Sequence, residues 1–337
     1  MKPRNIWLVA LCAFPCATAQ AHHGFAAIYD VADQIRIEGT IHGVRYRNPH
    51  SEISVMVAEA DGESTLWSCE TQASSILARK GITRDRFPVG ESVVITGSRA
   101  RRNANRCEIG TAYLPDGSSV TMRSAEGHAV ISVNPDSGGA AEKRDSVFGN
   151  WVRDSFTGAP VRPGFLELIT EVGREVNSHY VSSRDDPTRE CRPVNPVRAI
   201  LAPGTPLAIR RDGEQVVVQH EFMDTTRIIH LSDRAPKGQR GEMGWSNGRF
   251  EDGTLVVETR HFEPGVLLTQ VQGSGVLHSD QLTLVESFGV DPDTGQLVYQ
   301  WDATDPDYFS GTIGGQLRLS PTSLTIGEFN CEPFPPE

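Results

Sequence analysis

The residues best placed to do chemistry stand near the start of the chain, where Ala19-Gln20-Ala21 runs straight into His22 and His23. Small-x-small is the pattern at which export signals are cut, and a cut after Ala21 makes His22 the first residue of the mature chain. Its free α-amine and its imidazole then form a chelating pair. The amine has a reference pKa of about 8, so it yields its proton to a metal ion at neutral pH. His23 adds an imidazole or a backbone nitrogen. His50, in Asn48-Pro49-His50, is the best remote ligand, and Glu70 offers an oxygen. Nitrogen donors in a tetragonal set suit Cu(II), so copper is the expected metal. The competing reading is a loose arm whose histidines take up metal only adventitiously.

A second constellation lies in the C-terminal half. Alternation puts His220 on one face with Val216, Val218 and Phe222, and Glu286 on one face with Leu282, Leu284 and Phe288. Val256, Glu258 and Phe262 form a third such face, and Leu297, Tyr299 and Trp301 supply aromatic walls. If these faces converge, a histidine and one or two carboxylates share an apolar interior. Burial raises carboxylate pKa values, which suits general acid–base work in a hydration, dehydration or isomerisation. The alternative is that Glu258 and Glu286 pair with arginines such as Arg227 or Arg249, or face solvent at a rim. Gly244-Trp245-Ser246-Asn247-Gly248 has the spacing of a nucleophile elbow but lacks the strand–turn–helix context that motif needs, and reads as a glycine-rich loop.

The elements that must position these residues follow from the export signal onward. Lys2 and Arg4 precede an apolar stretch at 6–13 that is too short to span a bilayer. Residues 1–21 therefore read as a signal peptide, and no later segment is apolar enough for a membrane anchor. The expected location is the periplasm or the exterior. Cys12 and Cys16 leave with the signal, and Cys69, Cys107, Cys191 and Cys331 remain, an even number for an oxidising compartment. Cys69–Cys107 and Cys191–Cys331 is the expected pairing, because each pair then lies within one half of the chain. A net charge of −11 argues against nucleic acid as a partner.

Abundant glycine and proline with β-branched runs predict an all-β protein. Residues 22–33 read as an extended arm. Strands are expected at 34–46, 53–58 and 65–69, a short helix at 72–80, and strands at 93–99 and 107–114. Three strands, a helix and two strands is the order of a five-stranded Greek-key barrel of the OB type. Residues 22–123 are assigned to that domain. Its ligand loops would be Asn48-Pro49-His50 and the basic stretch 101–106, which suits an anionic glycan or lipid head group unless it is simply a solvated turn. Residues 124–146 lack periodicity and read as a linker. Residues 147–337 carry strand-like runs at 165–169, 215–223, 227–231, 254–262, 281–290, 296–303, 315–319 and 323–329, separated by turn signals. They are expected to form an antiparallel barrel or sandwich.

Four resemblances bear on this. The terminal histidine with a second histidine resembles the histidine brace of lytic polysaccharide monooxygenases and of the copper-resistance protein C family. Ala21-His22-His23-Gly24-Phe25-Ala26, Asn48-Pro49-His50, Trp67-Ser68-Cys69-Glu70 and Arg79-Lys80-Gly81 resemble a family of uncharacterised exported bacterial proteins over residues 21–122, with Gly24 in place of that family's serine. Cys191-Arg192-Pro193, the 244–259 segment and Cys331 resemble a second uncharacterised exported family, with Trp245 in place of its histidine. Gly149-Asn150-Trp151 at the entry to an antiparallel barrel is similar to the calycin and lipocalin group.

Three functions are compatible with these residues: an exported binding protein using copper at its N-terminus, a barrel enzyme of lyase, isomerase or hydratase type, and a structural envelope protein. The partner is a small molecule or an envelope protein, and the sequence leaves open whether any reaction is catalysed.

Overall fold

The computed structural model describes residues 28–122, 143–153, 160–202, 204–233, 240–269 and 275–333. The expected signal segment, His22, His23 and most of the expected linker fall outside the described residues. The chain is all-β, built as two barrels, and no helix among the described residues is long and apolar enough to cross a membrane.

The first barrel contains β1 (Tyr29–Arg45), β2 (Glu52–Ala58), β3 (Ser64–Glu70), the helix α1 (Ser74–Arg79), β4 (Ser92–Ala100), β5 (Arg106–Tyr113) and the short β6 (Ser119–Thr121). Its sheet runs β3-β2-β1-β4-β5-β6, and an added β3–β5 pairing closes five of the strands into a ring. That is the expected OB connectivity. In β1 the buried positions Ile35, Ile37 and Ile41 alternate with exposed Arg36, Glu38 and Thr40. A bulge between Ile41 and Gly43 then shifts the parity, so that Val44 also faces inward. At Gly39 a β-carbon would sit 2.2 Å from the Met56 carbonyl oxygen, so only glycine allows β2 this close. β1 starts at Tyr29, within the stretch expected to be an arm, because its first residues pair with the end of β4 (Tyr29 with Ala100).

The second barrel is a nine-stranded ring. It comprises β7 (Gly149–Val152), β8 (Pro206–Asp212), β9 (Gln215–His220), β10 (Thr225–His230), β11 (Trp245–Glu251), β12 (Thr254–Arg260), β15 (Thr283–Val290), β16 (Leu297–Thr304) and β17 (Ile313–Pro321). Neighbours follow chain order, and β17 closes on β7 through Pro321 and Trp151. Lipocalin barrels close with eight strands, so the count departs from that expectation. Strands β13 (Gly265–Thr269) and β14 (Gly275–His278) form a separate hairpin. The excursion between β7 and β8 holds α2 (Glu171–His179), α3 (Ser182–Asp185) and α4 (Pro196–Leu201), and the hairpin packs beside α2 and α4. Asn195 ties this lobe together, its amide donating to the Val266 carbonyl at 2.6 Å while its oxygen caps α4 at the Arg198 amide.

An odd number of strands cannot alternate direction all the way round a closed ring, so each barrel must contain one parallel junction. In the first barrel it is β3–β5, and in the second it is β10–β11.

Some expected strands are not strands. Residues 165–168 form a 3-10 turn, and 323–329 form an irregular strap. The face expected from Val256, Glu258 and Phe262 is corrected. Leu255, Val257 and Thr259 point inward, each fully buried, and Glu258 points out. Phe262 is buried, but His261 takes left-handed backbone (φ 66°), so the parity of Phe262 does not carry back into β12. The register with β15 sets it instead, pairing Val257 with Glu286 and Leu255 with Phe288.

Candidate functional site

At one end of the first barrel, three donors converge on the carboxylate of Glu70. Tyr29 Oη donates to Oε2 at 2.9 Å, Arg106 Nη2 donates to Oε2 at 3.1 Å, and His50 Nδ1 lies 3.2 Å from Oε1. His50 Nδ1 is also 3.2 Å from the Thr71 carbonyl oxygen. Burial alone would raise the Glu70 pKa, but His50, Arg106 and Tyr29 outweigh it and hold the carboxyl below its ordinary range. Burial and the carboxylates of Glu70 and Glu108 push the Tyr29 hydroxyl well up, so it stays a donor. Glu108 is the register partner of Glu70 across the β3–β5 junction, one residue from the Cys69–Cys107 disulfide.

The backbone that delivers these groups is well anchored. Asn48 accepts from the Ser75 amide at 3.1 Å and from the Ser74 hydroxyl at 3.1 Å, which caps α1 from 26 residues away in sequence. Asn48–Pro49 is a cis peptide bond. On its other side Asn48 donates to the Phe329 carbonyl and accepts from the Glu332 amide at 2.9 Å. The loop that carries His50 is therefore clamped between α1 and the C-terminal strap. The His50 side chain is 43% exposed, whereas that of Glu70 is 8% exposed. Glu70 thus acts as the group that orients His50 rather than as an outward-facing ligand. The imidazole is thus oriented through Nδ1 by a carboxylate and a carbonyl, the arrangement found behind metal-bound histidines. Among the described residues no group of three or more His, Cys, Asp and Glu side chains is placed to hold a metal ion.

The basic stretch 101–106 is less available than its sequence suggests. Arg101 pairs with Asp30 at 3.0 Å and Arg106 with Glu70, while neighbouring Arg99 pairs with Asp33 at 3.0 Å. Its charge is largely met within the barrel.

The interior of the second barrel holds a closed polar network. Arg227, 2% exposed, donates from Nε to Ser246 Oγ at 3.0 Å, from Nη2 to Thr259 Oγ1 at 2.6 Å, and to both oxygens of Glu286, through Nη1 at 3.0 Å. Tyr299 Oη donates to Glu286 Oε1 at 2.9 Å. Glu286 therefore pairs with Arg227 and is no free acid or base. Ser246 lies within β11 and serves this network, which agrees with reading the Gly-x-Ser-x-Gly spacing as no nucleophile elbow.

His220 is also inward, 3% exposed, and among the described residues neither ring nitrogen has a hydrogen-bond partner. Burial, with Arg227 nearby, drives its pKa down to about 3, so the ring is neutral. Glu258 lies on the outer wall, paired with Arg260 at 2.7 Å. The structure thus places His220 and Glu286 in one interior without a hydrogen bond between them, and removes Glu258 from it. Sequence reasoning anticipated Arg227 as a partner for Glu286. It missed Thr259 and Tyr299 as members of the network, and Tyr29 and Arg106 as partners of Glu70. For Arg106 the signal was its place beside Cys107, opposite Cys69-Glu70.

Both disulfides join the expected partners, Cys69–Cys107 and Cys191–Cys331. No curated protein matches the chain. Residues 10–112 match the model of DUF6152, a family of unknown function, and that stretch contains His22, His23, His50 and Glu70 but none of the second barrel.

Proposed function

We propose that this chain is an exported binding protein that holds a copper ion through the α-amine and imidazole of His22, with His23 and His50 completing the nitrogen set. The observation that carries the reading is the convergence of Tyr29 and His50 on the single carboxylate of Glu70. Tyr29 follows His22 by seven residues, a stretch that spans at most about 25 Å when extended. His22 is therefore tethered within reach of an imidazole already oriented through Nδ1 and half exposed. The two disulfides fit an oxidising compartment, and a signal cut after Ala21 supplies the free amine. The second barrel, with Arg227 and Glu286 paired to each other inside it, acts in this reading as the scaffold for a small molecule or an envelope partner.

The test is Cu(II) titration, followed by electron paramagnetic resonance, of exported protein whose intact mass shows that it begins at His22. His22→Ala abolishes tight binding and His50→Ala changes the spectrum. Glu70→Gln weakens affinity about 10- to 100-fold by loosening the hold on His50 Nδ1. A mature chain that begins elsewhere, or equal Cu(II) affinity in His22→Ala, overturns the proposal.

A further inference from the structure

We infer that the Cys191–Cys331 disulfide is a thiol-exchange site, whose reduction by a dithiol partner unclamps the His50 loop of the first barrel from the second. The two disulfides differ in access. Cys69 and Cys107 are fully buried, whereas Cys191 and Cys331 are each half-buried. Thiol–disulfide exchange needs a thiolate to reach a sulfur, so a partner in solution meets only the second bond. Cys191 also holds left-handed backbone (φ 56°), a conformation that costs a non-glycine residue energy.

The strap that this bond fastens spans the two barrels. Along it, the Gly327 amide donates to Glu221 Oε2 at 3.2 Å and the Phe329 amide to Asp224 Oδ1 at 2.7 Å, both acceptors belonging to the second barrel. The Phe329 ring is buried 5.4 Å from that of Phe222. Beyond these come the contacts to the first barrel: Asn48 to the Phe329 carbonyl, Asn48 bridged to Cys331, the Glu332 amide to Asn48, and Arg47 Nη1 to the Pro333 carbonyl at 3.1 Å. They cluster within two residues of Cys331. The disulfide is thus the covalent anchor for the segment that grips Asn48, two residues before His50.

The exchange balances as a two-electron transfer. A thiolate of the dithiol attacks one sulfur and forms a mixed disulfide, and the other cysteine leaves as a thiolate. The second thiol of the partner then displaces the remaining cysteine. The partner ends as a disulfide, and this chain gains two electrons and two protons as two thiols.

The test uses the full mature chain under native conditions. It is treated with dithiothreitol, quenched with iodoacetamide at intervals, and mapped by mass spectrometry. Cys191 and Cys331 label at least about tenfold faster than Cys69 and Cys107. Hydrogen exchange of the same samples is read at the Ser51 and Thr71 amides, which donate to the Gln72 and Ser51 carbonyls. Both exchange faster after selective reduction, and the oxidised Asn48→Ala variant shows the same acceleration with the disulfide intact. Cys331→Ser repeats the reduced state, and reduced wild type supplies the measurement if that variant fails to fold. Equal labelling of all four cysteines, or unchanged exchange at Ser51 and Thr71 after reduction, overturns the inference. None of these readouts involves metal. A chain that binds no copper but opens selectively on reduction overturns the copper reading alone.

Discussion

In the first barrel the parallel junction pairs Ser68, Cys69 and Glu70 with Arg106, Cys107 and Glu108, and a disulfide crosses it at the middle pair. In the second the parallel junction is two residue pairs long, and what crosses it is the Arg227 side chain, reaching Ser246 on β11 and onward to Glu286. Both junctions are the joints that parity forces on a ring of odd strand number, and each has a polar cluster beside it. The clusters differ in where they face. The first opens through His50, whereas Arg227 and Glu286 are sealed in, at 2% and 0% side-chain exposure. A sealed, mutually satisfied network specifies a core, whereas one with a half-exposed imidazole can meet another molecule. That contrast is why the functional reading rests on the first barrel.

The comparison can be broken at its strongest point. Arg227→Met leaves Glu286 buried without its counter-charge, and denaturant unfolding of the second barrel should show a loss of about 3 to 5 kcal/mol. Arg227→Met with Glu286→Leu should recover most of that loss, because the pair holds the core by matching rather than by net attraction. If the double variant is no better than the single one, the network does more than close the core. Replacing Cys69 and Cys107 together by alanine opens a loop of sequence separation 38 and should cost about 3 to 4 kcal/mol, confined to the first barrel.

The pH dependence separates the barrels further. The folded-state pKa of His220 lies near 3 against an ordinary 6.5, so the unfolded chain binds a proton that the folded chain refuses. The stability of the second barrel should therefore fall as the pH drops below 6.5, by about 1.5 kcal/mol between pH 6.5 and 5. His220→Leu should flatten most of that slope, the remainder coming from His278, which burial also lowers. Smallest of all, Glu258→Ala removes an ion pair whose partners are 46% and 64% exposed, and should change stability by no more than about 0.5 kcal/mol. A larger loss would mean that the outer wall is covered in solution.

Much of the first barrel was legible because its strands are bounded by turns and alternate cleanly, and the order of three strands, a helix and two strands has few closures. The second barrel was legible in kind but not in detail. Phe262 is an apolar residue at the right spacing, yet the left-handed turn at His261 breaks the parity that linked it to Glu258. β7 and β13 are too short to show a period, and the helices at 171–201 sit in a stretch rich in arginine and proline. In the site, the sequence singled out His50 and Glu70 but not the geometry that joins them. Tyr29 reaches Glu70 from 41 residues away, and only ring closure brings them together.

The pairing of Trp151 with Pro321 sets the order in which the molecule can be completed. The first ring has all of its strands once residue 113 has emerged, so it can form while synthesis continues. The second lacks its closing edge until residue 321 is through, and the strap that grips Asn48 arrives later still. A chain delivered end-first thus finishes its early half alone, and the grip on Asn48 waits for residues 329–332 to arrive.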